Sequence, residues 1–186
     1  MFDLHRFIAD CRAALKEGPG HRAVREVVAR AVSEPDSVLR GMGEPKRAQV
    51  DRLHVSKDLV VLNVVWAPYM TVAPHNHNMW TVIGIYTGCE HNMFWRRLPD
   101  EAEGRIEAAG ARAMSRTEAV PLGQDIIHSV TNPIPRFTGA LHVYGGDFFG
   151  VARSEWDPES LTEHPSSAEL ALRRFEEANR VFGQAT

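Results

Sequence analysis

The sequence predicts a mainly β protein, closed as a barrel or sandwich and flanked by helices at both ends. Three observations carry that reading. Between residues 51 and 147 the chain breaks into short runs rich in Val, Ile, Thr and aromatic residues; Pro and Gly punctuate those runs; and both flanks carry apolar residues at helical spacing. No helical stretch separates any two of the β runs, which disfavours a parallel, doubly wound sheet.

The elements follow in chain order. Leu4, Phe7, Ile8, Cys11, Ala14 and Leu15 recur at steps of three and four, predicting a first helix that Gly18-Pro19-Gly20 stops. Val24, Val27, Val28 and Val32 predict a second. A turn of helix fits residues 37–39, and Gly41-Met42-Gly43-Glu44-Pro45 reads as a linker. Eight strands are then expected, at 59–66, 71–77, 80–87, 91–97, 105–115, 119–121, 125–132 and 138–144. A loop through Trp156-Asp157-Pro158 leads to a last helix. Its start is a capping box of Ser166 and Glu169, and Ala168, Ala171, Leu172, Phe175, Ala178 and Phe182 form a stripe to dock on the barrel's outside. The whole, 1–186, is read as one domain: a helical N-terminal region 1–45, a β-barrel 51–147 and a C-terminal helix 165–183.

Composition narrows the function classes. The chain is 44% hydrophobic and 24% charged, so it can build a core and is not disordered as a whole. Its 21 Lys+Arg against 24 Asp+Glu leave a charge of −3, without the basic patch that nucleic-acid binding demands. Two cysteines far apart, Cys11 and Cys89, make neither a disulfide framework nor a zinc knuckle, as expected in a reducing, cytoplasmic setting. No membrane partner is expected, because the longest apolar stretch is far shorter than a bilayer span and the N-terminus lacks an apolar signal core. The N-terminal helices fit a brace for the barrel or a dimer contact, so the protein is read as monomer or homodimer.

Chemistry concentrates in the histidines. Nine are present, and His75 and His77 stand at i and i+2, the spacing that puts two imidazoles on one face of a strand. His128 lies in a second β run, and His142 with Tyr144 repeats the i, i+2 spacing in a third. A closed barrel can aim all of these into one lumen. Three imidazoles, His75, His77 and His128, suit a divalent first-row metal and leave coordination positions open. The plain alternative is that they are hydrogen-bonded core or surface histidines.

The run Trp66-Ala67-Pro68, Pro74-His75-Asn76-His77-Asn78-Met79-Trp80 and Gly84-Ile85-Tyr86-Thr87-Gly88 resembles the first metal motif of cupin proteins. Its form is that of thiol dioxygenases of the cysteine dioxygenase type and their bacterial relatives. His128 with Asn132, and Leu141-His142-Val143-Tyr144, resemble the second motif and the strand that follows it, so the likeness spans 53–147. The resemblance implies a double-stranded β-helix barrel, a ferrous ion on His75, His77 and His128, and a small thiol oxidised by O2 to a sulfinate. It further implies His142 and Tyr144 as the residues that act beside the metal.

The departures from the pattern are informative. Thr81 and Val82 stand where many cupins place a glutamate ligand, so the ligand set is all histidine. Ala140 replaces a serine two residues before His142. Val82 falls where some members carry a cysteine cross-linked to the tyrosine, so no thioether is expected. His54 stands near the position of the family's carboxylate-binding arginine, which points to a different thiol; Arg96, Arg97 and Arg136 are other candidate anchors. The expected substrate pocket comprises His54, Trp80, Val82, Arg96 and Arg136. Alternatives remain: a cupin isomerase, hydrolase or C–C-cleaving enzyme using Ni2+, Mn2+, Zn2+ or Fe2+ on the same histidines, or a non-enzymatic small-molecule-binding cupin.

Overall fold

The structure, a computed structural model, describes residues 1–18, 20–99 and 104–182. Three helices come first: α1 (Leu4–Ala14), α2 (Arg22–Ser33) and α3 (Pro35–Met42). Nine strands follow: β1 (Gln49–Val55), β2 (Val60–Trp66), β3 (Thr71–Asn76), β4 (Thr81–Thr87), β5 (Cys89–Arg97), β6 (Ile106–Ser115), β7 (Ala119–Leu122), β8 (Ile127–Thr131) and β9 (Thr138–Tyr144). Two short strands, β10 (Ser154–Trp156) and β11 (Glu163–Pro165), precede α4 (Ala168–Phe182). No helix among the described residues is long and apolar enough to cross a membrane.

The strands form two antiparallel sheets, ordered β1-β2-β9-β4-β7 and β11-β10-β3-β8-β5-β6. From β2 to β9 the chain passes between the sheets at every step except the β5–β6 hairpin. That winding is a double-stranded β-helix, the jelly-roll form of a closed β protein.

The five-stranded sheet is covered on both faces. On its outer face Leu59, Val61, Val82, Tyr86, Leu141 and Val143 pack against Phe7, Cys11, Val24, Val28 and Val32 of α1 and α2. Burial in this apolar layer lifts the Cys11 thiol to about 12, so it is an inert packing residue. The opposite parity of the same strands points inward: Val60, Leu62, Val64 and Trp66 from β2, Ile83 and Ile85 from β4, Ala140 and Tyr144 from β9. Gly84 lies where α2 crosses β4, and a Cβ there would fall 2.4 Å from Val28 Cγ1 and 2.9 Å from Val32 Cγ1.

Several elements differ from the sequence expectation, each for a physical reason. A full helix, α3, replaces the expected single turn: Pro35 opens it and Gly43, at φ 86, ends it by donating its N–H to Leu39 O, so Gly41 and Met42 are helical. Strand β1 is an edge strand with Asp51 and Arg52 partly or fully exposed, which breaks the apolar signature. Strands β10 and β11 have three residues each, too few for any period, yet they carry strand structure past residue 147. Strand β7 runs one residue further than expected, to Leu122.

The last helix docks by a narrower face than its apolar stripe indicates. Phe175, Ala178 and Phe182 join the inner cluster while Leu172 is 61% exposed. Asn179 clamps Ala48, accepting its N–H at 2.7 Å and donating to its carbonyl at 2.9 Å, and Arg174 pairs with buried Glu155 on β10. Ser167, not Ser166, caps α4, its Oγ accepting the Leu170 N–H at 3.2 Å, while Glu169 pairs with Arg173. Pro19 of the expected helix stop and residue 183 of the expected last helix lie outside the described residues.

The α2–β4 contact gives a direct test. Gly84→Ala is expected to destabilise the protein by about 1–3 kcal/mol through overpacking against Val28 and Val32. A urea melt in which the midpoint of this variant matches that of the parent would show that α2 is not locked on the sheet.

Candidate metal centre

His75 ends the inward row of β3 and lies directly opposite His128 of β8 in the register. A register shift between Val72 and His75 sets that pairing. His77 stands one residue beyond the end of β3 and is followed by Asn78 at φ 54, a left-handed conformation that asparagine tolerates better than most residues. The alternation therefore outlasts the strand: His75 and His77 aim inward, while Asn76 and Asn78 hold the 152–154 segment. Asn76 Oδ1 accepts the Ser154 N–H at 2.8 Å, and Asn78 Nδ2 donates to Ala152 O at 2.8 Å.

The three rings converge. Their centroids are 5.1, 4.6 and 4.9 Å apart, one nitrogen from each lies within 4.8 Å of the others, and His77 Nε2 is 3.4 Å from His128 Nε2. Each Nδ1 is already engaged: His75 with Ala73 O at 2.9 Å, His77 with Thr81 Oγ1 at 3.0 Å, His128 with Asn92 Oδ1 at 2.7 Å. A proton on Nδ1 meets each of these oxygens and leaves Nε2 as a lone-pair donor facing its neighbours, the arrangement that orients histidine ligands in metal sites. Burial holds His75 down to about 4 and pushes His77 and His128 well below the usual histidine value, with the neighbouring imidazoles adding to the effect on both. All three are neutral near pH 7. Three neutral imidazoles with converging lone pairs fit a divalent first-row metal ion.

Inside the barrel, β9 brings His142 and Tyr144 beside this cage. Tyr144 Oη lies 3.1 Å from His142 Nδ1, and the Tyr144 ring stands edge-on to His77 with centroids 5.1 Å apart. Burial raises the Tyr144 hydroxyl above its ordinary value, so it stays protonated and can donate.

The other expected site residues lie elsewhere. Val82 is on the outer parity of β4, against the helices, and therefore faces away from the cage. Trp80 also packs toward that cluster, its ring covering Gly145, where a Cβ would come within 1.8 Å of it. Arg96 is an exposed partner of Glu107, and Arg97 pairs with Glu163. Arg136 is exposed in the β8–β9 connection, where its carbonyl accepts from Asn132 Nδ2 at 2.8 Å. His54 sits beside a bulge on edge strand β1, its Nε2 buried without a hydrogen-bond partner.

Residues the sequence reading missed take their place. Arg153 stacks over the Phe148 ring at 3.9 Å, and Phe148 in turn lies 4.1 Å from the Tyr144 ring and 6.0 Å from His77. The Arg153 guanidinium is close enough to influence Tyr144, His75 and His77, and no carboxylate pairs with it among the described residues. It borders an open hollow lined also by Asn78, Ser154 and His164. No sequence signal marks Arg153, because its placement depends on the asparagines interleaved with the histidines. Glu90 and Asn92 were legible in principle: they alternate with exposed His91 and Met93, a polar pair on the buried parity of β5.

No protein-family model matches the sequence. Among solved structures the chain is similar to an RmlC-like cupin family protein with a double-stranded β-helix fold from Methanocaldococcus jannaschii, at 11% identity and TM-score 0.46, covering 57% of this chain and 86% of that one. It is similar to a cupin superfamily protein from Desulfitobacterium hafniense at 15% identity and TM-score 0.44, over 59% and 88% of the two chains. A cupin 2 conserved barrel domain protein from Salinispora arenicola matches at 18% identity and TM-score 0.41, over 54% and 77%. The strand order and the histidine geometry carry the reading of fold and site independently of these likenesses.

The lowered histidine values predict a pH dependence for the metal-free protein. Unfolded histidines take up protons near 6.5, whereas His75 resists protonation until about 4 and the other two resist it further. Their contribution to stability is complete above 6.5 and is lost as pH falls through that window. Urea melts from neutral pH down to about 4 should show this slope, and His75→Gln should flatten it; a slope identical in the variant would contradict the assignment.

Proposed function

We propose that the protein is a non-haem ferrous dioxygenase that oxidises a small thiol bearing an acidic group to the sulfinate. The observation that carries this reading is a cage of three neutral imidazoles, His77 and His128 buried and His75 half-buried, with a protonated tyrosine hydroxyl, held by His142, beside it. The all-histidine ligand set adds no negative charge to a ferrous ion, so an anionic thiolate is well matched to its remaining positions.

The reaction balances without an external reductant: the thiolate sulfur supplies four electrons, and both oxygen atoms of O2 end on sulfur. A ferrous ion on His75, His77 and His128 would supply the redox step that side chains cannot perform. The chain's residues do the rest. His142 Nδ1 holds the Tyr144 hydroxyl proton, which leaves the hydroxyl oxygen to accept a hydrogen bond from the substrate thiol. Phe148, packed on Tyr144 and close to His77, keeps water from one side of the cage. Arg153, held flat against Phe148, offers its guanidinium to the acidic group of the substrate.

The test begins with anaerobic loading of the metal-free protein with ferrous ion, followed by oxygen uptake across a panel of thiols and mass analysis of the product. Uptake that depends on an acidic thiol, gives a product heavier by two oxygen atoms and is lost in His128→Ala is the expected result. Bound iron with no thiol-driven uptake would move the assignment to another metal-dependent reaction on the same cage. Two variants separate the roles. Tyr144→Phe should keep its iron and lower kcat by about 100-fold. Arg153→Met should raise KM for acidic thiols by roughly 10- to 100-fold while leaving kcat nearly unchanged.

A further inference from the structure

Glu90 is wholly buried, on the inward parity of β5, and no Lys or Arg pairs with it among the described residues. Its neighbours are polar and specific. Trp66 Nε1–H donates to Glu90 Oε1 at 2.6 Å, and Asn92 Nδ2 lies 3.5 Å from Glu90 Oε2. His142 Nε2, buried and without a hydrogen-bond partner, faces Glu90 Oε1 at 3.5 Å, beyond a well-formed bond. Asn92 Nδ2 also meets Met114 Sδ at 3.2 Å, and Asn92 Oδ1 is the acceptor for His128.

From this arrangement we infer that Glu90 is the positioning residue that sets the direction of every hydrogen bond on this side of the cage. A carboxylate only accepts, so each neighbour must present an N–H to it. Asn92 is thereby oriented with its amide nitrogen toward Glu90 and its oxygen toward His128. That oxygen accepts the proton on His128 Nδ1 and leaves His128 Nε2 free for a metal. On the other branch, the proton of His142 is directed to Nε2, toward Glu90, so His142 Nδ1 accepts the Tyr144 hydroxyl. Ala140, two residues before His142 on the inward parity of β9, has no side-chain oxygen with which to do this. One buried carboxylate thus fixes both a metal ligand and the residue that aims Tyr144. The inference deepens the proposed reading: it rests on the metal cage and is independent of the thiol chemistry.

Glu90→Gln keeps the shape and breaks the logic. Either orientation of the new amide sets N–H against a donor: Asn92 in one, Trp66 and His142 in the other. The first turns Asn92 over and moves the His128 proton onto Nε2; the second inverts His142. The double variant Glu90→Gln/Asn92→Asp restores the pattern, because the glutamine amide then donates to Asp and the Asp accepts from His128.

The experiment reads histidine tautomers by long-range proton–nitrogen NMR on metal-free protein labelled at histidine, and Co2+ affinity by titration. The expected parent has His128 protonated on Nδ1 and His142 on Nε2. In Glu90→Gln either His128 inverts and Co2+ binds about 10- to 100-fold more weakly, or His142 inverts at parental Co2+ affinity, and the double variant restores the parental tautomers and affinity. Parent tautomers opposite to these overturn the inference, even where the single variant does not fold. So does a single variant that keeps parental tautomers and Co2+ affinity, or a double variant that recovers neither. Tautomers and Co2+ affinities that follow the pattern in a protein that oxidises no thiol would support Glu90's role and remove only the dioxygenase reading.

Discussion

The site depends on the five-stranded sheet being buried on both faces. Every residue of β2 and β9 is buried, so a slip of one residue in either strand would exchange the apolar layer under α1 and α2 with the polar lining of the barrel. Leu141 and Val143 are held outward by the helices, and that alone commits His142 and Tyr144 to the interior. The pairing of β9 with both β2 and β4 then fixes their height along the barrel. The helices touch no ligand, yet they decide which face of β9 the chemistry stands on.

The second constraint is the burial of polar groups. An unpaired buried donor or acceptor costs about 1–3 kcal/mol, so the lining must be a connected network. It runs from Ala73 and Thr81 through the cage histidines to Asn92, Glu90, Trp66, His142 and Tyr144. The points where it stays open are the facing Nε2 atoms of the histidines and the Nε2 of His142. The first opening is what a metal ion would close. The second is where Glu90 stands.

How much of this could be read from the sequence follows from which interactions are local. Apart from the mostly exposed β6, strands β2 to β9 show alternating or continuous apolar runs bounded by turn residues, so they were legible, as were the His75/His77 and His142/Tyr144 spacings. Edge strand β1 and the short β10 and β11 were not, because their structure comes from partners distant in the chain: β10 pairs with β3 only through Glu155 and His75. The pocket wall failed for a reason of parity. Trp80 and Val82 follow the histidines closely, but the turn at Asn78 lets β4 begin with Thr81 inward, so its neighbours on either side face the helices. Nearness in sequence to a ligand is poor guidance once a turn intervenes.

The alternation through residues 75–78 joins the cage to the segment that carries Arg153. A metal ion bound by His75 and His77 would restrain the backbone on which Asn76 and Asn78 stand, and those asparagines grip Ser154 N and Ala152 O on either side of Arg153. From the far side, Glu155 lies opposite His75 in the register and is paired with Arg174 of α4. The Arg153 guanidinium is thus set between two anchored residues and laid on Phe148, a placement that would leave it little freedom to lose on meeting the anion of the proposed substrate. The cage histidines and Arg153 lie far apart in sequence, yet the interleaved side chains of residues 75–78 and the 152–155 segment they hold join them. Under the proposed thiol chemistry, the distance from the cage to Arg153, rather than charge alone, would select the substrate.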